Sequence, residues 1–223
     1  MPSKPNILIV GNSGSGKTSS LEHLFKKRPK DVAFIDVERK GLPFLFDTSQ
    51  LGYFIEPKDW LETEKVLSEL SKRPQTVVVY DSFSKICELI YDSCRSKYTG
   101  WDVWNGYNKA ISTFIKLNKD MEKLVIMTAI DEVVYIEQAE GARVSRIRAF
   151  VQGKVYEGKL EKEFLIVLFC TPTKDKSGNI QFQFRHQTDG ITSAKAPQWL
   201  ALPAGMSNDV STVIDKLVEA KQL

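Results

Sequence analysis

The chain has 223 residues, with 31 Lys and Arg against 28 Asp and Glu, for a formal net charge of +3. Hydrophobic residues make up 42% and charged residues 26%, which excludes a collagenous, mucin-like or wholly disordered chain. No apolar run approaches the roughly 20 residues a membrane helix needs, no signal peptide is visible, and the charge is far from histone-like.

In chain order, Asn6–Val10 is an apolar run closed by Gly11 and predicts a buried strand. Residues 18–28 carry Leu21, Leu24 and Phe25 at helical spacing, with Pro29 after them. A second buried strand follows at 32–35. Asp59 and Glu62 form a capping-box pattern, and Leu61, Val66, Leu67 and Leu70 continue a helix towards Pro74. Residues 76–80 are all β-branched or aromatic and predict a third strand. Helical patterns at 83–97 and 104–119 precede a fourth strand at 124–127. Beyond Asp131 the pattern becomes strand-like at 133–136, 163–170 and 180–185, and a last helix is capped by Ser207-Asn208-Asp209 and covers 210–220. The expectation is an α/β fold: a mostly parallel central sheet flanked by helices, with a C-terminal antiparallel extension. No linker or repeat divides it, so one domain spans 1–223.

Three cysteines, Cys87, Cys94 and Cys170, are too few and unevenly spaced for a disulfide framework. They point to a reducing, cytoplasmic setting, and with only His23 and His186 a zinc site is not expected.

Gly11-Asn12-Ser13-Gly14-Ser15-Gly16-Lys17-Thr18 fits the phosphate-binding loop G-x-x-x-x-G-K-[ST]. Its glycines let backbone N–H groups turn inward, and the helix beginning near Ser19 presents its positive end to the phosphates. Lys17 reaches the β- and γ-phosphates, and the Thr18 hydroxyl ligates Mg²⁺. Val77-Val78-Val79-Tyr80-Asp81 is an apolar strand ending in a carboxylate, the Walker B pattern, which makes Asp81 a second Mg²⁺ ligand. Ala33-Phe34-Ile35-Asp36-Val37-Glu38 also ends a strand in acid, and Glu38 is the candidate base for an attacking water.

Together these three motifs resemble the RecA-type recombination ATPase core. More narrowly, the chain resembles the short phage-encoded members of that superfamily, including the single-strand annealing proteins of the Sak group. The resemblance spans about 6–200. It implies ATP and Mg²⁺ as ligands, water activation by Glu38, and DNA loops after the later strands. Trp101 and Trp104, residues 125–128, Gly153-Lys154 and residues 181–186 follow the family's order. Three features depart from it. Only five residues precede the first strand, where longer recombinases join subunits. Thr128 stands at the sensor position in place of Asn-Gln, where it can still bond a phosphate or water. No subunit-bridging cation is assigned, with Arg185 and Lys195 as possible equivalents.

The segment 143–159 holds Arg143, Arg146, Arg148, Lys154 and Lys159 against one acid, Glu157, with Phe150 and Tyr156 interleaved. Cations can neutralise a phosphate backbone while rings stack on bases, so Arg143, Arg146, Arg148, Phe150 and Lys154 are the candidate DNA contacts. A solvated charged loop is the alternative. Lys26-Lys27-Arg28 with Lys30 reads as ordinary helix-end charge. Trp101, Trp104 and Tyr107 share a helical face, read as core packing or, more sharply, as part of a first DNA loop.

The expected activity is a Mg²⁺-dependent ATPase that binds single-stranded DNA and promotes annealing or recombination. Possible partners are a single-strand-binding protein and further copies of the chain, with no membrane and with the host cytoplasm as location if phage-encoded. A nucleotide phosphotransferase and a nucleotide switch acting on a protein remain open. A GTPase is disfavoured, because Arg39 replaces the Gly of D-x-x-G after Asp36 and Met121 follows Asn118-Lys119-Asp120.

Overall fold

The computed structural model describes residues 4–137 and 143–223. The first three residues, part of the stretch read for a signal sequence, lie outside them. In chain order the elements are β1 (Asn6–Val10), α1 (Glu22–Lys27), β2 (Val32–Asp36), β3 (Tyr53–Ile55), α2 (Trp60–Leu70), β4 (Val77–Asp81), α3 (Phe83–Lys97) and α4 (Trp101–Asp120). They continue with β5 (Leu124–Ala129), β6 (Asp131–Glu137), β7 (Arg143–Ala149), β8 (Ile166–Lys174), β9 (Ile180–Arg185), β10 (Met206–Ser207) and α5 (Val210–Glu219).

Eight strands form one sheet in the order β10-β9-β8-β1-β5-β4-β2-β3. Pairing from β8 through β3 is parallel, while β9 and β10 add antiparallel pairs at one edge. The parallel strands are covered on both sides, which is why they read as continuous apolar runs. Alternate residues serve opposite faces. Leu8, Val10, Val78 and Tyr80 pack against α2, α3 and α4, whereas Ile7, Ile9, Val77 and Val79 share a core with α1 and α5. Helical spacing does the same for Phe83, Ile86, Cys87 and Ile90 in α3 and for Val210, Val213, Ile214 and Leu217 in α5. Each such fully buried aliphatic side chain contributes about 1.5–3 kcal/mol.

The α2 start is the expected capping box: Asp59 Oδ1 accepts from the Glu62 N–H at 2.9 Å, and Glu62 Oε2 accepts from the Lys58 N–H at 2.8 Å. Three expectations need correction. Residues 19–21 form a single 3-10 turn, and α1 proper begins at Glu22. The edge strand β3 is an unexpected element: its apolar run, Tyr53-Phe54-Ile55, is only three residues long. The expected strand at 133–136 does not extend the main sheet: it lies in β6, which forms a separate antiparallel pair with β7, Asp131 opposite Ala149 and Glu137 opposite Arg143. A run alternating cations with Val144 and Ile147 can satisfy its backbone in a hairpin, so the first half of the expected basic loop is strand. Among the described residues no helix is long and apolar enough to cross a membrane.

Candidate nucleotide site

The site lies at the C-terminal ends of β1, β5, β4 and β2. The strand β5 lies between β1 and β4, so the Asp81 strand is not adjacent to the strand that leads into the phosphate loop. This arrangement makes Thr128 the residue between them. Its hydroxyl donates to Asp81 Oδ1, and the Thr18 hydroxyl donates to Asp81 Oδ2 at 2.6 Å. Thr18, Thr128 and Asp81 therefore meet at one carboxylate.

The loop 11–18 is held at several points. The Gly11 N–H bonds the Ala129 carbonyl at 3.2 Å, and the Ser15 N–H bonds the Asn12 carbonyl at 3.2 Å. Lys17 Nζ donates to the Gly11 and Asn12 carbonyls at 2.7 and 2.9 Å. Gly16 has φ +93°, and a Cβ there would lie 2.7 Å from the Phe182 ring. On the other side, the Asn208 amide donates to the Gly16 carbonyl at 2.7 Å. Phe182 of β9 and Asn208 before α5 are contacts that the motif does not reveal, because they come from the far end of the chain.

Glu38 lies just past β2, where its N–H bonds the Asp81 carbonyl at 3.0 Å. Its Oε1 accepts from the Ser82 hydroxyl at 2.5 Å, and its Oε2 lies 2.5 Å from Lys40 Nζ. Burial pushes the Glu38 carboxyl up, but the bonds from Lys40 and Ser82 outweigh it and hold the pKa below the usual range. Glu38 is thus ionised at neutral pH. Asp36 behaves differently. Its carboxylate accepts from the Arg39 and Gly41 N–H groups at 2.8 and 3.3 Å, and burial raises its pKa to about 6. Asp36 therefore shapes the 36–41 turn. Burial also lowers the Lys17 pKa, against the pull of Asp81, Asp131 and Glu38.

Ser13, Gly14, Lys17, Thr18, Asp36, Glu38, Lys40, Asp81 and Ser82 border one cavity of about 180 Å³. A second cavity of about 410 Å³ shares Gly14, Lys17, Thr18, Lys40 and Gly41 with it and continues to Leu42, Pro43 and Phe182. The donor set suits a triphosphate with Mg²⁺. Thr18 and Asp81 offer hard oxygen ligands of the kind that Mg²⁺ would take. The buried Ser15 hydroxyl has no hydrogen-bond partner among the described residues, and a Cβ on Gly11 would come 2.5 Å from it, so the loop is closed on itself. Among the described residues no group of three His, Cys, Asp or Glu forms another metal cluster. All three cysteines are free and buried.

The basic segment is divided. Arg143, Arg146 and Lys154 are exposed, while Arg148 and Phe150 are half-buried. Arg148 is paired with Glu132 at 2.8 Å and Glu157 at 3.0 Å, and the Arg146 guanidinium donates to the Gly190 carbonyl. Gly153 has φ +83°, and its turn packs on Trp104, which in turn packs on Tyr91 and Tyr107. Trp101 departs from the core expected for the three aromatics: it is 83% exposed, while Tyr107 is buried. Tyr135 on the hairpin is also exposed, an aromatic that the sequence reading missed despite its alternation with Val133.

Comparison with known proteins gives one family. A family model described as an AAA domain matches residues 3–195. A search of curated proteins finds no match to the chain.

Proposed function

We propose that this chain, which belongs to the AAA domain family of P-loop NTPases, is a Mg²⁺-dependent ATPase that binds single-stranded DNA and promotes its annealing or recombination. Family membership supplies the nucleotide-binding fold. The hydrolytic assignment, the DNA substrate and a kinship with the phage Sak group are our reading. The observation that carries hydrolysis is the meeting of Lys17, Thr18, Asp81 and Glu38 around one cavity.

The chain's own groups divide the work. Backbone N–H groups of 13–18 and the Lys17 ammonium hold the β- and γ-phosphates. Thr18 and Asp81 would hold Mg²⁺, which would supply positive charge against the negative charge that develops on the phosphate. Thr128 fixes Asp81 from the opposite side, so the carboxylate keeps one orientation. Glu38, ionised and anchored by Ser82, orients a water for in-line attack and takes its proton.

The DNA reading rests on the exposed cations Arg143, Arg146 and Lys154 together with the exposed rings of Tyr135 and Trp101. A single-strand-binding protein and further copies of the chain are compatible partners, and the host cytoplasm fits three free thiols. The deciding experiment measures ATP hydrolysis with and without single-stranded DNA at low salt. Stimulation by DNA and salt-sensitive binding are expected. Hydrolysis indifferent to DNA, with transfer to a nucleotide acceptor, would replace this reading with a phosphotransferase.

A further inference from the structure

Lys40 stands where the two cavities join, and the mechanism above gives it no role. It borders the cavity that holds Lys17, Thr18, Glu38 and Asp81, and also the one that runs over the phosphate loop to Phe182. Its backbone is fixed. The Asp36 carboxylate ties down the N–H groups of Arg39 and Gly41 on either side, and these two residues have φ +54° and +73°. Its side chain is 77% exposed on a flexible stem, and its only ion-pair partner among the described residues is Glu38.

This pairing conflicts with the work assigned to Glu38. One carboxylate oxygen takes the Ser82 hydroxyl and the other takes Lys40. A general base must offer a lone pair to the water it deprotonates, and an ammonium 2.5 Å from Oε2 both takes one there and makes the carboxylate a weaker base. Ser82 is buried and also caps α3, accepting from the Lys85 N–H at 3.2 Å. Lys40 is the free one. The Lys40 ammonium sits in solvent while the Glu38 side chain is only 18% exposed, so Lys40 can move away without being desolvated. A doubly charged terminal phosphate in the same cavity is a stronger acceptor for an ammonium than one carboxylate.

We propose that Lys40 is a γ-phosphate ligand supplied by the same chain. It exchanges Glu38 for the terminal phosphate of ATP, and in leaving it frees Glu38 Oε2 to orient the attacking water. Lys40 keeps its proton throughout. ADP lacks the γ-phosphate, so with ADP bound the Lys40–Glu38 pair persists and the base stays covered. The inference rests on the ATPase reading and adds to it a residue that distinguishes triphosphate from diphosphate.

The test is equilibrium binding of ADP and of a β,γ-imido ATP analogue, both with Mg²⁺, to the wild type, Lys40→Ala and Lys40→Arg, alongside ATP turnover. Lys40→Ala should lose about tenfold in affinity for the triphosphate analogue, keep its affinity for ADP and turn over ATP more slowly. Lys40→Arg should retain the preference for triphosphate. An unchanged ratio of the two affinities in Lys40→Ala overturns the proposal. So does faster turnover in that variant, which would make Lys40 a mere restraint on Glu38. A wild type that binds neither nucleotide would instead remove the ATPase reading itself, with Lys17→Ala as the control that separates the two failures.

Discussion

The Thr18 hydroxyl donates to the Asp81 carboxylate across 2.6 Å, joining the last residue of the phosphate loop to the end of β4, 63 positions further along the chain. Asp81 is buried, and burial pushes its carboxyl pKa up while Thr128 and Thr18 pull it back. Burial works against the charge on this carboxylate, and a bound cation would favour it. Replacing Asp81 with Asn should therefore abolish the increase in nucleotide affinity that Mg²⁺ brings, and leave the weaker metal-free affinity. Titration of nucleotide with Mg²⁺ and with excess chelator measures this. Equal Mg²⁺ dependence in Asp81→Asn and the wild type would count against Asp81 as a ligand.

Thr128 makes the other half of that contact from β5, fully buried. Thr128→Val keeps the volume and removes the donor to a charged acceptor. The expected loss is about 1.5–3 kcal/mol of stability, read in urea unfolding, with a sharper loss in turnover than in ATP affinity. Thr128→Ser should recover most of both.

Gly16 is constrained twice. Its φ of +93° is costly for any residue with a Cβ, about 1–3 kcal/mol, and that Cβ would lie 2.7 Å from Phe182. Gly16→Ala should lower the melting temperature and nucleotide affinity together. Adding Phe182→Leu should return only part of the stability, because the backbone strain remains. Complete recovery in the double variant would show that the ring contact alone matters.

Asp209 caps α5 by accepting from the Ser211 N–H at 2.9 Å and pairs with His23 at 2.7 Å. Burial raises the Asp209 carboxyl, but the Ser211 and His23 contacts outweigh it and lower the pKa below its ordinary value. Its folded pKa lies below its unfolded one, so the stability it adds is present above the unfolded carboxyl range near ~3.9. That stability is lost as pH falls through the lower folded pKa. Asp209→Ala should cost about 1 kcal/mol at neutral pH. The difference from the wild type should shrink towards pH 3, as thermal melts at several pH values would record.

The phosphate loop, the Asp81 strand and Glu38 were legible because each is a short local pattern whose chemistry demands certain residue types. The five helices were legible from their apolar spacing. What escaped depends on distance along the chain. Phe182 and Asn208 reach Gly16 only because β9 pairs with β8, the neighbour of β1, and the chain then returns to α5. The role of Asp36 escaped as well, because the Arg39 and Gly41 amides that it binds are not a pattern of residue types. The strand β6 was legible at 133–136, but β7 was hidden by its own charges, since a basic run reads as loop until cross-strand partners such as Glu132 for Arg148 are known. The exposure of Trp101 was equally invisible, because helical spacing gives a common face but not its partner.

The division of the basic segment separates the proposed DNA contacts from residues that support the hairpin. Arg148 is 16% exposed and held by two glutamates, so its charge is already balanced within the protein. Arg143 and Lys154 are exposed and absent from the ion pairs among the described residues. Each such cation that touches a phosphate releases about 0.7 counterion from a single strand. Arg143→Gln and Lys154→Gln should each weaken binding to single-stranded DNA regardless of sequence, and each should reduce the slope of log affinity against log salt by about 0.7. Nucleotide binding should be unchanged, since neither residue borders the nucleotide cavities. Arg148→Gln should instead lower stability and leave the salt slope near that of the wild type. Fluorescence anisotropy with a labelled oligonucleotide at several salt concentrations measures all three. A slope changed by Arg148→Gln and untouched by Arg143→Gln would place the DNA path on the other face of the hairpin.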